Sequence, residues 1–537
     1  MKKRALMSVF VKDGILELAQ YLKSADWEIL STGGTAKYLT DNGIEVTDVS
    51  SVTNFPECLD GRVKTLHPAI HAGLLARRDN PEHMKTIQDL DISTIDLVCV
   101  NLYPFFEKVQ AGLSFPETVE FIDIGGPTMI RAAAKNYQDV IVLTDPADYE
   151  VVIEGLKTGD VPVEVKRFLA GKVFNLTSAY DAAVSRFMLG SENPEENELQ
   201  HYYTMPLEKS QELRYGENAH QSAALYLTVD HKGAFGGMEQ FQGKELSYNN
   251  IRDLDVAWKA VSAYNKFVKN AESVKADDGS TVSFAGTEGS IFTIALKHNT
   301  PCGAALGKSA LDSYKKTYEC DPVSIFGGII GCSGTIDKEA AEEMSKCFLE
   351  VIVAPDFTAE ALEVFKAKKN LRIIKATIEA TEFFDTMSVD GGLLVQSRDN
   401  QLFEKWNVVT KAKPTQDQID EMAFGMTVAM FAKSNAIVVV KDKTAIGIGC
   451  GQTNRIWAAG QALSRAKEVT DRLGTSQAEV LISDAFFPFA DCVEEAAKFN
   501  IKAIIQPGGS IRDQESIDAA DKLGIAMVFT GARHFKH

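Results

Sequence analysis

The sequence predicts an α/β fold of parallel sheets, divided into at least two domains. Three observations carry this expectation. Short apolar runs alternate with helical stripes from residue 5 onward, 537 residues exceed what one compact core accommodates, and several strands run straight into glycine-rich or polar turns. Residues 5–10 read as a buried strand, and Ile15, Leu16, Leu18, Ala19 and Leu22 make the stripe of a following helix. Residues 27–30 form the next strand, which enters Ser31-Thr32-Gly33-Gly34-Thr35 and a short second helix. A strand at 44–49 closes a β-α-β-α-β run, which predicts parallel pairing with right-handed crossovers. Strands at 95–102 and 140–143 and a long helix over about 161–189 complete this part. The acidic, Asn- and Pro-containing stretch 191–198 is the predicted linker.

The second part repeats the alternation. Strands are predicted at 291–296, 325–330, 351–353, 371–374, 436–440, 445–449, 480–483, 502–505 and 526–529. Helices are predicted near 338–347, 416–431, 455–466 and 493–499. Polarity rises and the pattern blurs over 370–415, where a sub-boundary is expected. Leu30, Leu296, Gly449 and Ile505 each lead into a polar turn, and ligands of parallel α/β sheets sit outside strand carboxyl ends.

With 56 basic and 74 acidic residues the net charge is −18, which argues against a nucleic-acid footprint while leaving room for a locally positive phosphate pocket. Eight scattered cysteines without a CxxC pair read as reduced thiols. The start of the chain lacks the apolar run of a signal peptide, and no segment approaches a membrane span, so a cytoplasmic protein without membrane partners is expected.

Four motifs point to a phosphorylated small molecule. In Ser31–Thr35 small residues let a phosphate approach the backbone while hydroxyls and N–H groups donate to it, although neither the dinucleotide nor the P-loop pattern is present. Gly61-Arg62-Val63-Lys64-Thr65-Leu66-His67 packs two cations and a histidine into one loop. Asn101-Leu102-Tyr103 ends a strand, and Asp123-Ile124-Gly125-Gly126 opens a helix bearing Arg131 and Lys135 on one face.

These segments resemble the inosinate (IMP) cyclohydrolase half of the bifunctional purine biosynthesis enzymes, whose other half is an aminoimidazole-carboxamide ribonucleotide (AICAR) formyltransferase. The later chain resembles that other half. Arg214-Tyr215-Gly216-Glu217-Asn218-Ala219-His220-Gln221 is similar to the family's RYGxNPHQ, with Ala219 in place of Pro, and Lys297-His298-Asn299-Thr300-Pro301-Cys302-Gly303 is similar to KHxxPxG. Ser324–Gly328, Lys433-Ser434-Asn435, Gly447–Gln452, Ser483–Phe489 and Arg533-His534-Phe535 follow in family order. The resemblance implies a methylglyoxal-synthase-like parallel-sheet domain over 1–195. It also implies a larger α/β domain of two cytidine-deaminase-like lobes over 200–537, and a homodimer.

It further implies site residues. Formyl transfer from 10-formyltetrahydrofolate to a weak amine needs a proton carrier and a stabilised oxyanion, roles that fall to His298, Lys297 and Asn435. Arg214, Tyr215, His220 and Arg533 would hold the substrate. Phe326, Gly327, Glu350, Arg455, Phe486, Pro488, Phe489 and Asp491 would line the nucleotide or folate side. Ring closure within one molecule depends on positioning, and Lys64, Tyr103, Asp123 and Lys135 match its catalytic positions. Ser8, Lys12, Ser31, Thr32, Gly33, Gly34, Thr35, Arg62, Thr65, Asn101, Gly125 and Gly126 would bind phosphate and ribose. No metal is expected: Pro301-Cys302 suggests a zinc deaminase, but that chemistry needs HxE and PCxxC, and Ala305 stands where the second Cys would be. A nucleophilic Cys302 is a third reading, which nothing in the transfer requires.

Overall fold

A computed structural model describes residues 2–102, 105–190, 199–229, 233–269, 273–284, 287, 289–377, 379–380 and 384–537. The predicted catalytic Tyr103 and the predicted linker 191–198 lie outside them. The chain divides into two units, residues 1–208 with 228–230, and residues 209–227 with 231–537.

The first unit is a five-stranded, all-parallel sheet of β1 (Arg4–Ser8), β2 (Glu28–Ser31), β3 (Thr47–Asp48), β4 (Leu97–Val100) and β5 (Ile141–Leu143), in the order β3-β2-β1-β4-β5. Helix α1 (Ile15–Ser24) buries Ile15, Leu18, Ala19 and Leu22, the i, i+3, i+4, i+7 stripe read from the sequence. Full burial of each Ile or Leu there stabilises by about 1.5–3 kcal/mol. The predicted strand 44–49 shrinks to two residues, because Asp48 accepts the Ser50 N–H at 2.8 Å and caps a short helix from Val49. Helices α2 (Gly33–Asp41), α3 (Gly125–Lys135) and α4 (Val163–Leu189) complete the elements that frame the site.

The second unit is built on one twelve-stranded sheet. Its strands are β6 (Glu239–Gln242), β7 (Ile291–Lys297), β8 (Thr300–Gly307), β9 (Ile329–Cys332), β10 (Val351–Ala354), β11 (Arg372–Lys375), β12 (Asn407–Val408), β13 (Ile437–Lys441), β14 (Thr444–Gly449), β15 (Val480–Ser483), β16 (Ala503–Gln506) and β17 (Ala526–Phe529). The order β12-β17-β16-β15-β13-β14-β8-β7-β9-β10-β11-β6 is a repeat read outward from the centre. On each side an antiparallel hairpin is followed by an antiparallel neighbour, two parallel strands and an antiparallel edge strand. The first lobe ends with β11 and the second begins with β12, so the change of lobe falls within the blurred stretch 370–415.

Helices α5 (Tyr248–Tyr264) and α7 (Gln416–Ala429) cover one face of this sheet, while α6 (Ala310–Cys320) and α8 (Arg455–Leu473) lie on the other. Strands buried on both faces read as unbroken apolar runs: Val438 and Val440 pack with α7, Ile437 and Val439 with α8. Helix α8 comes close to β14 because Gly447 and Gly449 present no side chains to Ala458 and Ala462. Among the strands and helices just named, β6, β8, β12, α5 and α6 escaped the sequence reading. Strand β8 carries Pro301 and Gly303, which read as a turn, and helices α5 and α6 open in polar, Asn- or Ser-containing segments. The predicted strand 325–330 starts instead at Ile329, after a turn in which Gly327 has φ 73°.

The repeat is inverted. Because Ala305 faces Thr444 in an antiparallel pair, the β7–β8 turn and the β13–β14 turn lie at opposite rims of the sheet. Leu296 pairs with Ile329 and Ile437 with Ser483. The rim that carries the β7–β8 turn therefore gathers the amino ends of β9, β10 and β11 from one lobe and the carboxyl ends of β15, β16 and β17 from the other.

Candidate active sites

In the first unit the predicted phosphate cradle is assembled at the carboxyl ends of β1, β2 and β4. Helix α2 starts at Gly33, whose φ of 56° is left-handed, with Thr32 as its N-cap. Ser31 is buried and donates to the Met7 carbonyl at 2.6 Å. Thr35 donates to the Val9 carbonyl and accepts from Lys12 Nζ at 3.2 Å. Burial lowers the Lys12 ammonium from its ordinary range. Asn101 is spent on structure: its side chain accepts from the Val11 N–H at 3.1 Å and donates to the Val11 carbonyl, tying the 10–11 loop to the end of β4. Ser8 ends β1 beside this loop.

Lys64 projects to the same place. A Cβ at Gly33 would lie 3.8 Å from Lys64 Nζ, so the ammonium sits over the start of α2. It is held 3.0 Å from Glu57 Oε1. Gly61 is obligatory beneath it, with φ 90° and with space that a side chain would fill by striking the Lys64 Cε at 2.7 Å. Thr65 is buried against Gly125 at the head of α3. Asp123 accepts the Gly126 N–H at 2.9 Å, and its own N–H donates to Tyr180 Oη at 2.8 Å. Arg62 is paired with Glu120. Lys135 is not brought to this group. Ten residues of α3 separate it from Gly125, about 15 Å of helix, and it lines a different cavity of about 860 Å³ with Arg131, Arg167 and Phe174.

In the second unit the rim just described collects most of the predicted residues. The Lys297–Asn299 turn is a hairpin in which both His298 and Asn299 have φ 57°, a left-handed pair that costs roughly 1–2 kcal/mol per non-glycine residue. His298 is exposed, and Lys297 Nζ donates to the Phe326 carbonyl at 2.8 Å, which joins the turn to the Phe326-Gly327 loop before β9. Asp253 of α5 accepts the N–H groups of Asn299 and His298, and burial raises its carboxyl above the ordinary range despite them. Glu350, before β10, accepts from Asn250 of α5 at 2.6 Å. Arg214 donates to Tyr215 Oη at 3.0 Å and stacks on its ring. Its loop, which carries the exposed His220, is anchored by Glu217 to Arg252 of α5 at 2.9 Å. Burial and the nearby Arg214 lower the Arg372 guanidinium from its ordinary range, although Glu350 opposes this. Two guanidiniums that act on one another electrostatically suit a phosphate dianion, which would neutralise both.

The second lobe supplies the other half of the rim. Arg455, only 5% exposed, pairs with the fully buried Asp484 and donates to Ser483 Oγ at 2.9 Å. Its second nitrogen donates to Asn435 Oδ1, while Asn435 Nδ2 donates to the Gln452 carbonyl at 2.8 Å. The guanidinium thus decides which end of the Asn435 amide is the donor, and leaves one N–H of that amide for a ligand oxygen. The predicted aromatic run divides: Phe487 enters the core, Phe486 is half-buried, and Phe489 is exposed with the Arg512 guanidinium over its ring at 5.0 Å. Pro488 lies half-buried between them, and Asp491, the first residue of its helix, accepts from the Cys492 N–H at 2.8 Å. Arg533 is exposed and stacks on Phe535. Cys302 is a poor nucleophile here, since burial pushes its thiol up to about 12.

Asp253, Arg372, Gln452 and Asp484 were not singled out from sequence. Asp484 stood inside a quoted motif, whereas Asp253 lay on an unrecognised helix. The buried pair makes a stability prediction. Arg455→Met leaves Asp484 uncompensated and should cost about 3–5 kcal/mol in denaturant unfolding of the second unit. A loss below about 1 kcal/mol would show that water reaches Asp484.

The family model described as "AICARFT/IMPCHase bienzyme" matches residues 133–465, and the "MGS-like domain" model matches residues 14–128. A relative from Clostridium acetobutylicum, "Bifunctional purine biosynthesis protein PurH", is 58% identical over 538 residues, all of both chains. Proteins of the same description from Clostridium botulinum and Clostridium perfringens are 56% and 55% identical, again over the full length of both chains.

Proposed function

Since the chain belongs to the AICARFT/IMPCHase bienzyme family, and is a bifunctional enzyme of purine biosynthesis with AICAR formyltransferase and IMP cyclohydrolase activities, we propose that its two chemistries use the two sites just described. Formyl transfer belongs to the rim of the twelve-stranded sheet in residues 200–537. Ring closure belongs to the cradle in residues 1–195. The observation that carries this reading is the inverted repeat, which puts Lys297 and His298 from one lobe on the same rim as Asn435, Arg455, Phe486 and Phe489 from the other. With strands about 4.8 Å apart, His298 and Asn435 are separated by roughly two strand spacings, the scale of a substrate's reacting end.

On that rim His298 removes the proton from the attacking amine as the C–N bond forms. The free N–H of Asn435 and the Lys297 ammonium stabilise the oxygen of the tetrahedral intermediate, and the leaving folate nitrogen takes a proton. The formyl donor is 10-formyltetrahydrofolate, with the exposed Phe489 and half-buried Phe486 as its apolar wall. Arg214 and Arg372 take the phosphate. In the cradle the carboxamide nitrogen attacks the formyl carbon of the same molecule and water leaves. Lys64 stabilises the developing oxyanion and Asp123 handles protons.

The enzyme acts as a cytoplasmic homodimer. Val323, Phe326, Phe348, Trp457, Phe489 and Ile511 are all exposed, and by the strand registers all sit on the formyl-transfer rim, an apolar margin that suits a partner subunit. Turnover of AICAR should require 10-formyltetrahydrofolate. Equal turnover with formate and ATP in its place would overturn the assignment of the donor.

A further inference from the structure

The inverted repeat extends to a detail of the catalytic turn. Helices α5 and α7 both open with a capping box, Ser247 with Asn250 and Thr415 with Gln418. The sixth residue of each is a carboxylic acid, Asp253 in α5 and Glu421 in α7. Asp253 accepts the N–H groups of Asn299 and His298. Glu421 accepts the N–H of Lys443 at 3.3 Å together with that of Asp442. Both receiving turns are two-residue hairpin turns in left-handed backbone, with φ 57° and 57° in the first lobe and 50° and 55° in the second. The device is therefore the same twice: a helix carboxyl clamps the two N–H groups of a strained turn. The turns differ in what they carry and where they face. One presents His298 on the formyl-transfer rim, and the other presents Asp442 and Lys443 on the opposite rim.

We propose that Asp253 is a positioning residue for formyl transfer, its carboxylate holding the His298–Asn299 turn in left-handed geometry so that the imidazole stays fixed against the reacting amine. This rests on the reading of His298 as the proton carrier. The clamp acts on the backbone of His298 and leaves its ring free. Without the clamp, two non-glycine residues in left-handed backbone relax toward ordinary φ values, and the imidazole swings off the rim. Asn299 Oδ1 is buried with no hydrogen-bond partner among the described residues, so the Asn299 side chain does not supply the missing restraint.

The second lobe provides a control within the same molecule. Asp253→Asn removes the charge and replaces one of the two acceptor oxygens with a donor, which weakens the clamp at nearly constant volume, and Glu421→Gln does the same on the opposite rim. Asp253→Asn should lower kcat for formyl transfer by about 10- to 100-fold with KM for AICAR changed less than about twofold, because a displacement near 1 Å at a reacting group has this effect. Glu421→Gln should leave both constants within about twofold. Adding Asn299→Gly to Asp253→Asn should recover about threefold or more of the lost kcat, since glycine holds positive φ without a clamp. Should Asp253→Asn not fold, Asp253→Glu, which moves the carboxylate out by one methylene, takes its place with the same expectations. The proposal is overturned if folded Asp253→Asn keeps its kcat, if its loss appears in KM alone, if Glu421→Gln loses as much, or if glycine at 299 restores nothing. His298→Ala is assayed beside them. If it retains formyl transfer, the reading of His298 itself has failed; if it loses activity while Asp253→Asn does not, only the role of Asp253 has.

Discussion

Replacing His298 with alanine should lower kcat for formyl transfer by about 10²–10⁴-fold, the usual worth of a positioned acid–base group. Cyclisation of the separately supplied formylated intermediate should stay within about twofold of normal. The size of the effect follows from the site. The AICAR amine is conjugated to its ring and carboxamide, so it cannot attack without losing its proton in step with bond formation. His298 is the exposed imidazole at the tip of the Lys297–Asn299 turn, and neighbouring Lys297 is already engaged with the Phe326 carbonyl at 2.8 Å. Steady-state assay of the two steps with separate substrates reads both effects. A variant that kept formyl transfer within tenfold would move the proton carrier elsewhere on the rim.

The second large effect belongs to Lys64. Lys64→Ala should lower ring closure by about 10²–10³-fold, the range for removing one oxyanion-stabilising group, and leave formyl transfer within about twofold. Intramolecular closure asks little covalent help of the protein, so a fixed positive charge where the carbonyl oxygen gains charge supplies a large share of the rate. The structure fixes that charge firmly: Glu57 holds the ammonium at 3.0 Å, Gly61 gives it room, and the head of α2 lies beneath it. Cyclisation followed by loss of the formylated intermediate reads the result. Loss of both activities in a folded variant would show that one pocket serves both steps.

What the sequence made legible was local. The first unit's strand–turn–helix pattern, its phosphate cradle and the α1 stripe could be read because alternating apolar periods and small-residue turns are written in consecutive residues. Strand β8 could not, because Pro301 and Gly303 argue against a strand and only the antiparallel pairing with β7 overrides them. Nor could the inversion of the lobes, which depends on a register between Ala305 and Thr444, 139 positions apart in the chain. The residues proposed for formyl transfer were picked out by their motifs, but their meeting on one rim was not visible, since half of them stand at strand amino ends where α/β sheets are not expected to hold ligands. Asp253 and Arg372 act through space on residues from other segments, and spacing alone does not announce such partners. Lys135 shows the opposite limit. Motif order groups it with Asp123, while the length of α3 sets them apart.

The seam between β8 and β14 has a mechanical consequence. The lobes join laterally at the Ala305–Thr444 pair, with the Leu306 N–H donating to the Lys443 carbonyl at 2.9 Å. Each lobe carries its own core on the outer face, and the inner-face core is common to both. A slip of one lobe along that seam would move His298 and Asn435 in opposite directions while each side chain kept the contacts within its own lobe. The seam is thus a gear whose teeth are two backbone positions, and the register of a single strand pair sets the gap between His298 and Asn435.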